Sequence, residues 1–444
     1  MEVLNLITKI ITFVFSALVA YRFIYILIGV FTKNKKYPEA TQHKRYAIII
    51  SARNEEKVIG NLIASLKAQN YEKELITIFV VADNCDDNTA KVCRDLDCVV
   101  YERFDKTRAR KGWALEYLFH NIERDFGISY FDGFIIFDAD NVVDKDYVRN
   151  INNAICAGAE IVIGYRNTKN FKTNAVSAAY GIHFCRAIMS NGRARRFFDT
   201  TTNIAGTGYC VASHLLKDGW KWHSLTEDDE LTIHSVTHGV KVEFCENAQF
   251  YDEQPTSFRV AFRQRIRWTR GRLGNYFSHV GEMIKSMFTL KKGKARWSMY
   301  DILMSMTPFP LFILIIGSVY PITSTIITIV HHEPLPWLIW LKGFGYSLLT
   351  SYISMFLEGL LVMIRERKHI HCSTNKKILY LFCWPWFDLI NIPLLIASCF
   401  AKPVWKPIVH TDTTKIEEFE KRIVPQETIE KKDENEEEDL EKVS

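Results

Sequence analysis

No two of the ten cysteines stand in a C-x-x-C arrangement, and ten in 444 residues are too few for a small disulfide scaffold. Zinc ribbons and thioredoxin-like redox chemistry are therefore disfavoured. A strong charge of one sign is missing too. The formal net charge of +5 excludes a histone-like or polyanion-coating protein and gives no reason to expect nucleic acid as a partner. The first apolar run, Leu4 to Phe31, has no clear small-residue cleavage site after it; Lys33, Lys35 and Lys36 follow instead. About 20 apolar residues span a bilayer, so residues 1–32 read as a retained anchor and not as a cleaved signal. The lysines put its end in the cytoplasm.

What is present is a large water-soluble middle between apolar ends. Two further runs are long enough to cross, Ile302 to Val330 and Trp337 to Ile364, and the second ends in a basic stop from Arg365 to Lys368. Glu358 is an intramembrane carboxylate, read either as an interfacial helix-end residue or as the lining of a polar path. A third run, Ile378 to Phe400, carries Pro385, Asp388, Asn391 and Pro393, and either crosses, lies in the interface or re-enters. The tail from about Lys415 is acidic, with Phe419 its sole aromatic, and reads as solvated. The expected units are an anchor at 1–32, a soluble domain at 45–250, amphipathic interface helices at 251–295, a membrane region at 302–400 and a charged tail at 402–444.

The soluble domain alternates short β-branched runs with helical patterns. Strands are expected at Tyr46–Ser51, Thr77–Ala82, Val99–Tyr101 and Gly133–Phe137, and helices at Lys57–Gln69, Thr89–Leu96 and Gly112–Glu123. Fully apolar strands between helices indicate a doubly wound α/β domain, Rossmann-like, with a mostly parallel sheet covered on both faces and ligands at the carboxyl ends of the strands.

Those ends are acidic. One strand runs into Asp83 and another into Asp138 and Asp140. In extended chain, residues two apart face one side, so this pair would repel unless a cation stood between them. Mg²⁺ bound by one or two carboxylates and substrate phosphates would resolve that; the plain alternative is aspartates capping the next helix. A third cluster, Thr226 to Glu230, is either an N-cap with a favourable acidic first turn or the source of a general base. Further on, Phe258, Phe262 and Ile266 form an apolar stripe among Arg259, Arg263, Arg265, Arg267 and Arg270, which suits a basic helix lying on an anionic leaflet. Gln264, Arg267 and Trp268 share another face, fit for a diphosphate and a sugar ring.

In their order and spacing, Asp83, Asp138 with Asp140, Thr226-Glu227-Asp228 and the run Gln264 to Trp268 resemble membrane-integrated, processive-type family 2 glycosyltransferases, such as cellulose, hyaluronan, chitin and poly-N-acetylglucosamine synthases. The resemblance covers about residues 45 to 365. It implies a GT-A domain on the cytoplasmic face of the plasma membrane, a UDP-sugar donor and an inverting, metal-dependent transfer of a hexose or N-acetylhexosamine. Position by position it implies that Asp83, helped by Glu55, meets the uridine, that Lys111 faces the diphosphate, and that Asp138 and Asp140 hold UDP and Mg²⁺ or Mn²⁺. Asp228 would be the base, and Gln264, Arg267 and Trp268 would hold the diphosphate and acceptor sugar. The implied partners are a polysaccharide or lipid-linked acceptor and membrane lipids, with room for accessory subunits. A non-processive enzyme that makes a glycolipid is the alternative. Trp405 to Thr411 is a candidate loop over the donor, provided that the third run stays at the inner interface.

Overall fold

The computed structural model describes residues 2–332, 334–335, 337–401, 410 and 412–418. Eight strands form one sheet: β1 (Tyr46–Ala52), β2 (Ile76–Asp83), β3 (Val99–Arg103), β4 (Gly133–Asp138), β5 (Val142–Val143), β6 (Ile161–Thr168), β7 (Tyr209–Ala212) and β8 (Val242–Asp252). Their order is β3-β2-β1-β4-β7-β6-β8-β5. The half built from β3, β2, β1 and β4 is parallel, whereas β7 runs antiparallel to both β4 and β6. The sheet is thus mixed and less uniformly parallel than the apolar runs suggest. Both faces of β1 are buried: Ile48 and Ile50 enter one core, Ala47 and Ile49 the other. A fully buried isoleucine contributes about 2–3 kcal/mol, so a continuous apolar strand belongs at the centre of a covered sheet.

Fifteen helices are described, beginning with α1 (Glu2–Val19) and α2 (Tyr21–Phe31). The sheet is flanked by α3 (Ile59–Lys67), α4 (Thr89–Asp95), α5 (Lys111–Asp125), α6 (Tyr147–Cys156), α7 (Ala175–Ala187), α8 (Ala194–Phe198) and α9 (Glu227–Thr237). A π-helical stretch, Ile188–Arg193, joins α7 to α8. Beyond the sheet come α10 (Phe258–Thr289), α11 (Gly293–Met306), α12 (Phe309–Val330), α13 (Trp337–Arg365), α14 (Thr374–Leu389) and α15 (Asn391–Phe400).

Among the described residues, four helical runs are long and apolar enough to cross a membrane: Val3–Phe31, Phe309–Val330, Trp337–Arg365 and Thr374–Phe400. The expected start at Ile302 is corrected. Ile302 lies fully buried in α11, packed on α9 and α10, and the chain breaks at Thr307 and Pro308 before α12 begins. The third run bends between α14 and α15, at Ile390. The Trp384 indole donates to Met355 O of α13 at 3.1 Å, so α14 runs along α13. Glu358 faces protein there: Arg186 of α7 reaches it at 3.5 Å and Asp388 at 2.9 Å. Trp405–Val409 and Thr411 lie outside the described residues.

Candidate active site

Strand register brings the acidic residues to one edge. Ser51 pairs with Asp138 across β1 and β4, and Ala52 pairs with Ala82 across β1 and β2, so Asp83 and Asp138 end neighbouring strands at the same rim. Asp83 is buried and accepts from Arg103 Nη1 at 2.6 Å, its partner in the β2–β3 register. Asn84 Nδ2 donates to the same Asp83 oxygen at 2.9 Å.

Asp138 closes β4, and its backbone N–H donates to Thr207 Oγ1 at 2.8 Å. Its carboxylate takes the ammonium of Lys111, the first residue of α5, which also donates to Gly206 O at 2.7 Å. Gly206 has φ +79°, a left-handed conformation that turns the carbonyl toward the cleft and that glycine adopts without strain. Burial opposes a charge on Lys111, but Asp138 and then Glu227 outweigh it and hold the ammonium protonated.

The geometry assumed for Asp138 and Asp140 needs correcting. The strand stops at Asp138 and Ala139–Asp140 turn, so alternation does not set their directions. Asp138 meets Lys111, whereas Asp140 is buried next to His410, Nδ1 to Oδ2 3.3 Å, with its backbone carbonyl accepting from Lys169 Nζ at 2.9 Å. Burial, then Asp252, pushes the Asp140 carboxyl well above the usual range. Glu55 is pushed up to about 7 by burial. His410 also approaches Glu253 at 3.6 Å and Glu55 at 4.0 Å, and although burial opposes it, Asp140 leads in raising the imidazole to about 10. A protonated His410 thus stands where three carboxylates converge.

Asp228 lies in the first turn of α9, partly open to the cleft, with Gly206 close by. Burial, reinforced by Asp229 and Glu227, pushes its carboxyl up to about 8. Thr226 precedes α9 but makes no side-chain cap; its Oγ1 instead accepts from Asn275 of α10 at 3.1 Å. All four acidic residues do occupy the first turn of α9, and Glu230 accepts from the Ser224 N–H at 2.9 Å, so the run favours the helix start as well as facing the cleft. Arg267 Nη1 reaches Leu225 O at 3.3 Å, and α10 comes so close that a Cβ on Gly271 would lie 2.7 Å from Thr226. One turn earlier, Gln264 Oε1 accepts from Tyr180 O–H at 2.8 Å and the Trp268 ring meets Tyr180 edge-on at 6.0 Å.

The structure thus gathers Lys111, Asp138, Glu227 and Asp228 in one group and Glu55 and Asp140 in an adjoining one. Asp83 is engaged by Arg103, and Gln264 and Trp268 rest on α7. Sequence reasoning missed Arg103, Lys169, Asp252, Glu253 and Tyr180. The first four sit at or just beyond the ends of β3, β6 and β8; the strand-end rule would have found Arg103 had β3 been carried two residues further, and the other three had β6 and β8 been assigned. Among the described residues no group of three or more His, Cys, Asp or Glu is arranged to hold a metal ion. The surplus of buried carboxylate around Asp138 and Asp140 nevertheless fits a divalent cation that takes its other ligands from a substrate diphosphate.

A Rossmann-like parallel half with acidic strand ends, joined through the antiparallel β7 to a mixed extension, defines a GT-A glycosyltransferase fold. The family profile described as "Glycosyltransferase like family 2" matches residues 43–271, just over half of the chain, and the chain belongs to that family. Among curated relatives, the probable glycosyltransferase YdaM of Bacillus subtilis is 28% identical over 242 residues, 51% of this chain and 55% of that one. A beta-monoglucosyldiacylglycerol synthase of Trichormus variabilis is 22% identical over 403 residues, 86% of this chain and 80% of that one. The chain spans about half the length of two of the curated relatives it matches. In fold it is similar to the mannosyltransferase PcManGT from Pyrobaculum calidifontis, solved with GDP-Man and Mn²⁺, at TM-score 0.54 and 15% identity, covering 82% of this chain and 98% of that one.

Proposed function

We propose that this glycosyltransferase moves a sugar, with inversion, from a UDP-sugar to a hydroxyl of a membrane-borne acceptor, extending a polysaccharide at the cytoplasmic face of the plasma membrane. The observation that carries the reading is Asp228: a carboxyl pushed up to about 8, close to the charged pair Lys111–Asp138. A carboxylate of raised pKa is a strong enough base to take the acceptor O–H proton as the oxygen attacks the anomeric carbon. Lys111 and Arg267 face the charge that develops on the leaving diphosphate. Asp83 orients the uridine, while Trp268 and Gln264 seat the acceptor sugar. Asp138 and Asp140 would hold Mg²⁺ or Mn²⁺, which neutralises diphosphate charge when bound. An α-linked donor gives a β-linked product.

A second reading, a glycolipid made on a lipid acceptor, is favoured by two observations. A relative that matches 86% of the chain is named a beta-monoglucosyldiacylglycerol synthase, and α12 has no buried residue, so little encloses a polymer path on that side. UDP release measured against a panel of UDP-sugars, with and without Mn²⁺ or Mg²⁺, tests the transferase reading; no release from any donor refutes it. Product size then separates the two acceptors, a ladder or high polymer against a single glycolipid.

A further inference from the structure

Arg265 lies inside the run from Gln264 to Trp268 yet turns away from the cleft. It is 8% exposed, so it is not one of the arginines that meet a lipid surface, as the stripe of α10 first suggests. Its Nη1 donates to Phe387 O at 2.8 Å and its Nη2 to Asn391 Oδ1 at 2.5 Å, with the guanidinium 4.0 Å from the Phe387 ring centre. These contacts straddle the bend between α14 and α15. An interrupted helix leaves carbonyls without intrahelical partners, and in an apolar layer each is expensive unless protein satisfies it. Arg265 supplies that partner.

The bend leads back to the cleft through aromatic rings. Phe387 meets Tyr180 edge-on at 5.1 Å, Tyr180 meets Trp268 edge-on, and the Tyr180 O–H holds Gln264. The donor-side groups are fastened elsewhere: Asp83 by Arg103, and Lys111 by Asp138 and Gly206. We propose that Arg265, clamped on Asn391, is a positioning residue that fixes the α14–α15 junction behind Tyr180, Gln264 and Trp268 and so sets affinity for the acceptor without touching the donor. This rests on the reading of Gln264 and Trp268 as acceptor-side groups.

The test uses the full chain in detergent micelles, with the UDP-sugar that the donor panel selects. The acceptor probes are dioleoylglycerol in mixed micelles and, separately, a short β-linked oligosaccharide of the donor sugar. Arg265→Lys should raise acceptor KM about tenfold, while donor KM and acceptor-free UDP release stay within about twofold. Asn391→Ala should raise acceptor KM about threefold, and Asn391→Asp, which keeps an oxygen for Nη2, should restore it. The clamp is overturned if donor and acceptor constants move together, if acceptor KM is unmoved in Arg265→Lys, or if Asn391→Asp is no better than Asn391→Ala. A wild-type chain that releases no UDP fails the reading of the cleft, and hydrogen exchange then decides the clamp. Arg265→Lys must speed exchange at residues 385–392 and leave 133–143 unchanged; equal exchange at both segments overturns it.

Discussion

Buried charge is arranged in opposite ways in the cleft and at the junction between the sheet and the apolar helices. At the junction three arginines of the α7–α8 column each meet carboxylates from other elements. Arg186 takes Asp388 and Glu358, Arg193 takes Glu246 and Glu366, and Arg195 takes Asp301, which also accepts from Tyr21 at 2.6 Å. In the cleft, Asp138, Asp140, Glu55, Glu227, Asp228 and Glu253 share mainly Lys111 and His410. The same burial therefore gives opposite results. Burial opposes the Glu366 charge, but the hydrogen bond and the charge of Arg193, joined by Tyr165, together hold its carboxyl below the usual range, whereas Asp228 is pushed up to about 8. Matched charge fastens helices; unmatched carboxylate is poised for a proton, a cation or a substrate phosphate.

The largest expected effect would sharpen that contrast from the cleft side. Asp228→Asn should lower transfer about 10³-fold, the scale of a lost general base, while UDP binding by calorimetry stays within about twofold. Loss of both would make Asp228 a binding group and break the proposed division of roles. The junction should answer in stability instead. Arg193→Ala strands Glu246 and Glu366 in a dry site and should cost about 3–5 kcal/mol, read as a lowered melting temperature of the full chain in detergent. Arg193→Met combined with Glu246→Gln and Glu366→Gln should recover most of that loss, since a neutral packed cluster avoids the uncompensated charge. If the single and triple variants melt alike, the network is not held by charge matching. Chelation of Mn²⁺ and Mg²⁺ is a smaller perturbation with the reverse signature: UDP affinity should fall about tenfold while the Arg193 cluster is untouched.

Much of this contrast was legible in the sequence on one side only. Apolar strands between helical patterns placed β1, β2 and β4 within a residue or two, because a strand buried on both faces leaves a continuous run. Asp83, Asp138 and Asp140 followed from strand-end position. The junction was nearly silent. Arg186, Arg193 and Arg195 fall in a stretch with weak periodicity, where a π-helical insertion shifts the faces, and their partners lie more than 50 residues away. Local spacing carries no record of such pairings. Arg265 shows the same limit, since its own helix suggested lipid headgroups and its partner is 126 residues distant. The orientation expected for Asp140 missed for a different reason: strand alternation was extended two residues past the point where the strand ends.

The smallest predicted effect is a test of the electrostatics alone. Asp228 has a folded pKa of about 8, above the ordinary aspartate value of about 3.9. Between these values the folded state keeps a proton that the unfolded chain has released, so this group makes stability fall as pH rises from about 4 to about 8 and then level off. Asp228→Asn removes that dependence. The variant should therefore melt higher than the parent by a few degrees at about pH 8 and by much less at about pH 5, with no bound nucleotide or metal. The rate should follow the same group with the opposite slope, since the free enzyme gains its base as pH climbs through about 8. Glu366→Gln gives the matched control. Its carboxylate sits below the usual range beside Arg193, so removing its charge should destabilise the chain, and do so more at about pH 7 than at about pH 4. Opposite signs at the two carboxylates are required; the same sign at both would mean that buried charge is handled alike in cleft and junction.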